Sequence, residues 1–206
     1  MLDNRRHYRA GGAKRSFFDV SVDLAAVRIA IPRNKYIVEY EGASEDDIYE
    51  ALNAPPVEKL DRDYSVAEVL DSRPLRERMR SVELNAITFE FGSWTVAESD
   101  ITTLRQLSRA INRVLKRKPD EMFLIEGYTD AVGSDEDNLS LSDRRAEAVA
   151  VILTEEFQVP PENLLTQGYG EQFLKVETDQ PEQANRRVVV RPVGRLLARN
   201  DNRRGE

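Results

Sequence analysis

From residue 85 to residue 193 the apolar residues switch back and forth between two repeat lengths, and each switch restricts what the chain can build. "AITFEFGS" alternates with period two, as a strand does, and stops at Gly92-Ser93. Beyond Ser99, a residue suited to capping a helix, Ile101, Leu104, Leu107, Ile111, Val114 and Leu115 recur at three-and-four spacing, which predicts a long helix that Pro119 stops. "MFLIEG" reads as a second strand. A second long helix opens after Ser134 and runs to about Phe157, "LLTQGYG" is a third strand and "RRVVVRPV" a fourth. Helices with one apolar stripe and strands with one apolar face bury them against each other. The order therefore predicts an α/β (α+β) fold, a two-layer βαβαββ sandwich with the helices on one face of a mixed sheet.

The preceding residues are less regular. Residues 1–16 are polar, Arg-rich and Gly-containing, and are expected to form a disordered basic tail. Residues 17–83 make a small mixed strand and helix segment of unknown role. "FFDVSVDL", "VRIAIP" and "KYIVEYEG" alternate like short strands, and "SEDDIYEALN" is a short helix capped by Ser44 with Asp47 and ended by Pro55-Pro56. Shorter helical pieces are expected at Val66–Leu70 and Leu75–Arg80. The organised region 84–195 is followed by a second disordered tail, 196–206.

Charge and composition exclude several functions. Lys+Arg of 30 against Asp+Glu of 37 gives a net charge of -7, the wrong sign for a nucleic-acid partner or an anionic membrane surface. Cysteine is absent, which removes disulfides, thiolate metal sites, a Cys nucleophile and a lipid-modified N-terminal Cys on this chain. The basic opening "MLDNRRHYRAGGAKRSFF" is not followed by an apolar signal core, since "LAAVRIAIP" is broken by Arg28 and ends at Pro32. The chain is expected to be cytosolic or to have its export signal upstream.

The densest chemistry lies in "TDAVGSDEDNLSLSDRRAEAV", residues 129–149. Ser134 is placed as an N-cap, and Asp135, Glu136 and Asp137 fill the first helical turn, where exposed amides and the helix dipole favour negative charge. Those acids need no ligand. A calcium loop would want its glycine at the sixth place and a bidentate Glu at the twelfth, whereas Gly133 stands at the fourth place when Asp130 is the first. A phosphate loop would want Gly-Lys-Ser/Thr, which is missing. Along the helix, Leu139, Ser142, Ala146, Val149 and Leu153 are expected to form the apolar stripe, with Asn138, Leu141, Arg145 and Ile152 beside it. Asn138 and Arg145 then point alike, toward the loop that holds Asp130. Taken alone, Asp130 and Arg145 read equally as a salt bridge that holds the loop or as a binding pair.

The blocks "ITFEFGS", "IEGYTDAVGSDEDNLSLSDRRAEAVAVIL", "TQGYGE" and "ANRRVVV", in this order and spacing, resemble the C-terminal peptidoglycan-binding domain of the OmpA family, found also in peptidoglycan-associated lipoproteins and flagellar stator proteins. The resemblance covers about residues 84–195. It implies non-covalent binding of diaminopimelate in the peptidoglycan stem peptide, in the periplasm and in association with the outer membrane of a Gram-negative envelope. The family's binding Asp falls on Asp130, its binding Arg on Arg145 and the intervening Asn on Asn138, with the loop beside the site at Gly92 and Ser93. Tyr128 stands where the family usually has His. Arg186 and Arg187 read as ion pairs at the sheet edge.

The resemblance implies a binding module that tethers an envelope component to the wall, with no enzyme activity, cofactor or metal. A cell-wall hydrolase would need a nucleophile with a base, a metal or paired carboxylates. The one histidine, His7, lies in the tail, and Glu90 and Glu126 sit in strands. A third reading is a structural protein that docks an envelope partner through residues 17–83, with its wall contact vestigial.

Overall fold

The computed structural model describes residues 37–39, 43–84, 87, 89 and 92–198. The strands expected upstream of residue 37, the tail 1–16, residues 199–206 of the second tail and half of "AITFEFGS" lie outside these residues. A sheet of five strands has the order β1-β2-β5-β3-β4, with β1 at Ile37–Glu39, β2 at Ser81–Glu83, β3 at Phe123–Gly127, β4 at Leu164–Gly168 and β5 at Val188–Pro192. The β1/β2 and β3/β4 pairs are parallel, while β5 runs antiparallel to both β2 and β3, with Ile125 opposite Val190 and Val82 opposite Val190 on the other side. The segment 17–83, expected to be a small strand and helix unit of unknown role, contains β1 and β2 of this sheet.

The helices begin where the caps are. Ser44 receives the Asp47 amide while the Asp47 carboxylate receives the Ser44 amide, a reciprocal box that opens α1, Glu45–Asn53. Ser65 and Glu68 do the same for α2, Val66–Asp71, and a four-residue helix α3, Arg73–Arg76, follows. Helix α4, Ile101–Leu115, departs from expectation at its start: Ser99 lies inside a short 3-10 turn, Glu98–Asp100, and its hydroxyl goes to the Asp100 side chain. Ser134 caps α5, Asp135–Glu155, by accepting the Asp137 amide, and the three acids fill the first turn.

One core lies between the sheet and helices α1, α4 and α5. Phe123, Ile125, Val82, Val188 and Val190 meet Leu104, Leu107, Ile111, Ala146, Val149 and Leu153, all of them fully buried. Each such side chain contributes roughly 1.5–3 kcal/mol by leaving water. The stripe of α5 differs from the pattern in one place: Leu139 is 39% exposed, and Asn138 and Arg145 are buried instead. Polar side chains occupy the inner face there because the first turns of α5 cover the loops at the sheet's end.

The second face of the sheet is covered too. Tyr64, Val69, Leu75 and Met79 pack on Leu124, Val193 and Leu196, and the main chain of Leu196 and Ala198 pairs with Tyr64 in the region expected to begin the C-terminal tail. Beneath this cover, Glu126 receives Arg191 and Arg76, each at 3.1 Å, and the Tyr128 hydroxyl at 2.8 Å. Burial would raise the Glu126 pKa, but the charges of Arg191 and Arg76 outweigh it and hold the carboxyl below its ordinary value. Arg191 also donates to the carbonyls of Arg76 and Met79, which ties the cover to the sheet.

Candidate binding site

The candidate residues gather at one end of the sheet. Asp130 follows the carboxyl end of β3, Glu171 follows that of β4, and Arg186 precedes the start of β5, whose Val188 pairs with Gly127. Loops at the carboxyl ends of parallel strands are a common place for ligand sites in open sheets. The first half of α5 lies over this end at close range. A β-carbon on Gly127 would stand 2.1 Å from the Ser142 carbonyl oxygen, and one on Gly168 would stand 2.3 Å from the Asp143 amide nitrogen. Only glycine permits this approach. The fully buried Ser142 fixes it by accepting the Gly170 amide at 2.8 Å.

On that platform, Arg145 is 1% exposed. Its Nε donates to the Ser93 carbonyl at 3.0 Å and its guanidinium lies 4.8 Å from the centre of the Phe89 ring. The loop that meets it turns at Gly92, whose φ of +69 favours glycine. Burial pushes the Arg145 pKa down to about 10, helped by the Arg186 charge and opposed by Asp130. Asp130 and Arg145 are therefore electrostatic neighbours of opposite sign.

Asp130 itself is 3% exposed. One carboxylate oxygen accepts Arg186 at 2.6 Å and the other accepts the Val132 amide at 3.3 Å. Asn138 donates to Glu171 at 2.6 Å. Of the five residues taken from the sequence, Arg145 and Ser93 meet directly, Asp130 lies near enough for its charge to act on Arg145, Gly92 shapes the loop, and Asn138 bonds to a residue that had no expected role. Two residues were missed, Glu171 and Arg186. Arg186 is indeed ion-paired, but its partner is Asp130, on another loop. Beside the site, Trp94 is 44% exposed, and the guanidinium of Arg144 lies 4.7 Å from its ring.

The hydrolase residues fare differently. Glu126 is locked beneath the second layer, and Glu90 lies outside the described residues. No described helix is long and apolar enough to cross a membrane, and no described cluster of His, Cys, Asp and Glu could hold a metal ion.

Residues 88–187, which span all of Asp130, Asn138, Arg145 and Arg186, match the model of the OmpA family. Outer membrane porin F of Pseudomonas aeruginosa is 34% identical over 85 residues, which is 41% of this chain and 23% of that protein. Outer membrane protein 41 of Porphyromonas gingivalis is 27% identical over 136 residues, 66% of this chain and 33% of that protein. The chain thus spans a third or less of the length of either relative. Among solved structures, the peptidoglycan-associated lipoprotein of Burkholderia pseudomallei covers 52% of this chain and is itself covered to 86%, with 24% identity and a TM-score of 0.44. For the periplasmic domain of Helicobacter pylori MotB the shares are 59% and 77%, with 19% identity and a TM-score of 0.48.

Proposed function

Because residues 88–187 match the model of the OmpA family, we propose that the chain binds peptidoglycan without catalysis, through the diaminopimelate of the stem peptide, and tethers an envelope component to the wall. The observation that carries this reading is the state of Arg145: a guanidinium buried against Phe89 and Ser93, with its pKa driven down to about 10, beside the opposite charge of Asp130. Cations held at such a cost concentrate at functional sites. The side-chain end of diaminopimelate carries an ammonium and a carboxylate on one carbon, which is the complement of a carboxylate and a guanidinium close enough for their charges to interact.

Each charge-assisted contact contributes about 1.5–3 kcal/mol before the entropy of binding is subtracted. A single site is then weak, and repeated stem peptides in one wall hold the chain through rebinding. On this reading the domain works in the periplasm, against the inner side of the outer membrane.

The competing reading is an ion pair that holds a loop, and the 2.6 Å contact between Arg186 and Asp130 favours it. Pull-down on purified diaminopimelate-type wall separates the two. Asp130→Asn and Arg145→Met should lose wall binding and still melt cooperatively; loss of the fold in both would leave only the ion pair.

A further inference from the structure

Arg186 pairs at 2.6 Å with one oxygen of Asp130, the carboxylate that the proposed site offers to a ligand ammonium. Both carboxylate oxygens are engaged, one by Arg186 and one by the Val132 amide, and the side chain of Asp130 is 4% exposed. Each oxygen could accept a further hydrogen bond, but so little of the side chain meets solvent that an ammonium reaches it only if a neighbouring group moves, and Arg186 is the partner with solvent to move into.

The construction around Arg186 lets one group move while the rest stays fixed. Its backbone follows the short turn Gln183–Asn185 and donates to the Gln183 carbonyl. On one side, Asn185 is fully buried and holds the main chain of Lys175 and Val176 through bonds of 2.7–2.8 Å. On the other, Arg187 is buried, lies 4.0 Å from the centre of the Tyr128 ring and donates to the Phe173 carbonyl. Of the three, Arg186 alone has a partly exposed side chain, at 21%. A long, flexible cation thus stands on a rigid base. It lies close enough to Arg145 to depress that residue's pKa, so two guanidiniums share the neighbourhood of one carboxylate.

We infer that Arg186 is an exchanging cation that determines specificity: it pairs with Asp130 in the free protein, gives up that place to the ligand's ammonium, and turns to the ligand's carboxylate beside Arg145. The inference rests on the diaminopimelate reading of the site. A ligand with both charges repays the displaced guanidinium by offering it a new partner. A ligand with the ammonium alone displaces it into water and gives nothing back. Arg186 therefore acts in opposite directions on the two ligand types: it supports the zwitterion and competes with the simple ammonium.

The test is a calorimetric titration of the unmutated chain and of Arg186→Gln with two muropeptides that differ only in having diaminopimelate or lysine at the third position. Arg186→Gln should bind the diaminopimelate form about tenfold more weakly, the worth of one charge-assisted contact, and the lysine form more tightly. Equal weakening toward both would reduce Arg186 to a prop for Asp130, and unchanged affinities would make it a bystander; either result overturns the exchange. Binding of neither muropeptide by the unmutated chain would overturn the site reading as a whole, a different and recognisable outcome. Should Arg186→Gln fail to fold, nuclear magnetic resonance of the Arg186 guanidinium in the unmutated chain decides. Its Nε–H signal should move on saturation with the diaminopimelate form, and an unmoved signal contradicts the exchange.

Discussion

Nε of Arg145 donates to the carbonyl of Ser93 across 52 residues of chain, so one hydrogen bond joins the middle of α5 to the loop after "ITFEF". The bond does not offset the burial of the guanidinium, whose pKa falls well below the usual guanidinium range, to about 10. Unfolded, the group holds its proton more tightly than it does folded. Its cost to stability is therefore complete below about pH 10 and is relieved as the pH rises beyond that. Arg145→Met should keep or raise the melting temperature at neutral pH while wall binding disappears. The advantage of the variant should shrink between pH 10 and 12. A variant that melts well below the unmutated chain would show that the guanidinium holds the fold together.

Ligand choice should follow the two charges. The unmutated chain should prefer diaminopimelate-type over lysine-type muropeptide by about 2–4 kcal/mol, from one charge-assisted contact and the cost of an unanswered guanidinium. Arg145→Met should bind both weakly and keep only the share of the preference that Arg186 supplies, whereas Asp130→Asn should lose affinity for both and keep part of the preference. Equal affinity of the unmutated chain for both muropeptides would remove Arg145 from ligand recognition.

Glu126 is the reverse case, a carboxylate whose loss strands two buried cations. Glu126→Gln should cost about 3–5 kcal/mol in denaturant unfolding, because Arg191 and Arg76 lose their shared anion. The Glu126 pKa is lowered in the folded chain, so its contribution is present above the ordinary carboxyl range and lost as the pH falls through the folded value. A ΔΔG under about 1 kcal/mol would show that solvent reaches this cluster.

Gly127→Ala should reduce stability and wall binding together. The added carbon meets main chain, the Ser142 carbonyl at 2.1 Å, so α5 must rise from the sheet and carry Asn138 and Arg145 with it. Overpacking of this kind costs about 1–3 kcal/mol. Unaltered unfolding with unaltered binding would mean that the helix rides higher in solution.

What could be read from the sequence was local. The Ser44 and Ser134 caps, the strands at 123–127, 164–168 and 188–192, and the adjacency of Asp130 to α5 all follow from residues a few places apart. Periodicity failed at Leu139 because the first turn of α5 packs on loops and leaves that side chain outside. The Asp130–Arg186 pair joins residues 56 apart, and only the β5/β3 pairing brings them together. Arg76 and Arg191 were illegible for the same reason. A second layer over the sheet had no period of its own to announce it, since α2 and α3 are too short to show one.

The strand directions also decide how the molecule would bear load. β1 and β3 run the same way, and the candidate site lies beyond the far end of β3. A pull from upstream of Ile37 against a chain gripped at Asp130 and Arg145 therefore draws the strands lengthwise past one another, and whole ladders must yield at once. A pull between the start of β1 and the end of β5 works at one edge and can part the bonds in succession. Single-molecule stretching between positions 36 and 131 should meet higher rupture forces than stretching between 36 and 198. An anchor strained along the first line would hold like a lap joint; along the second it would peel.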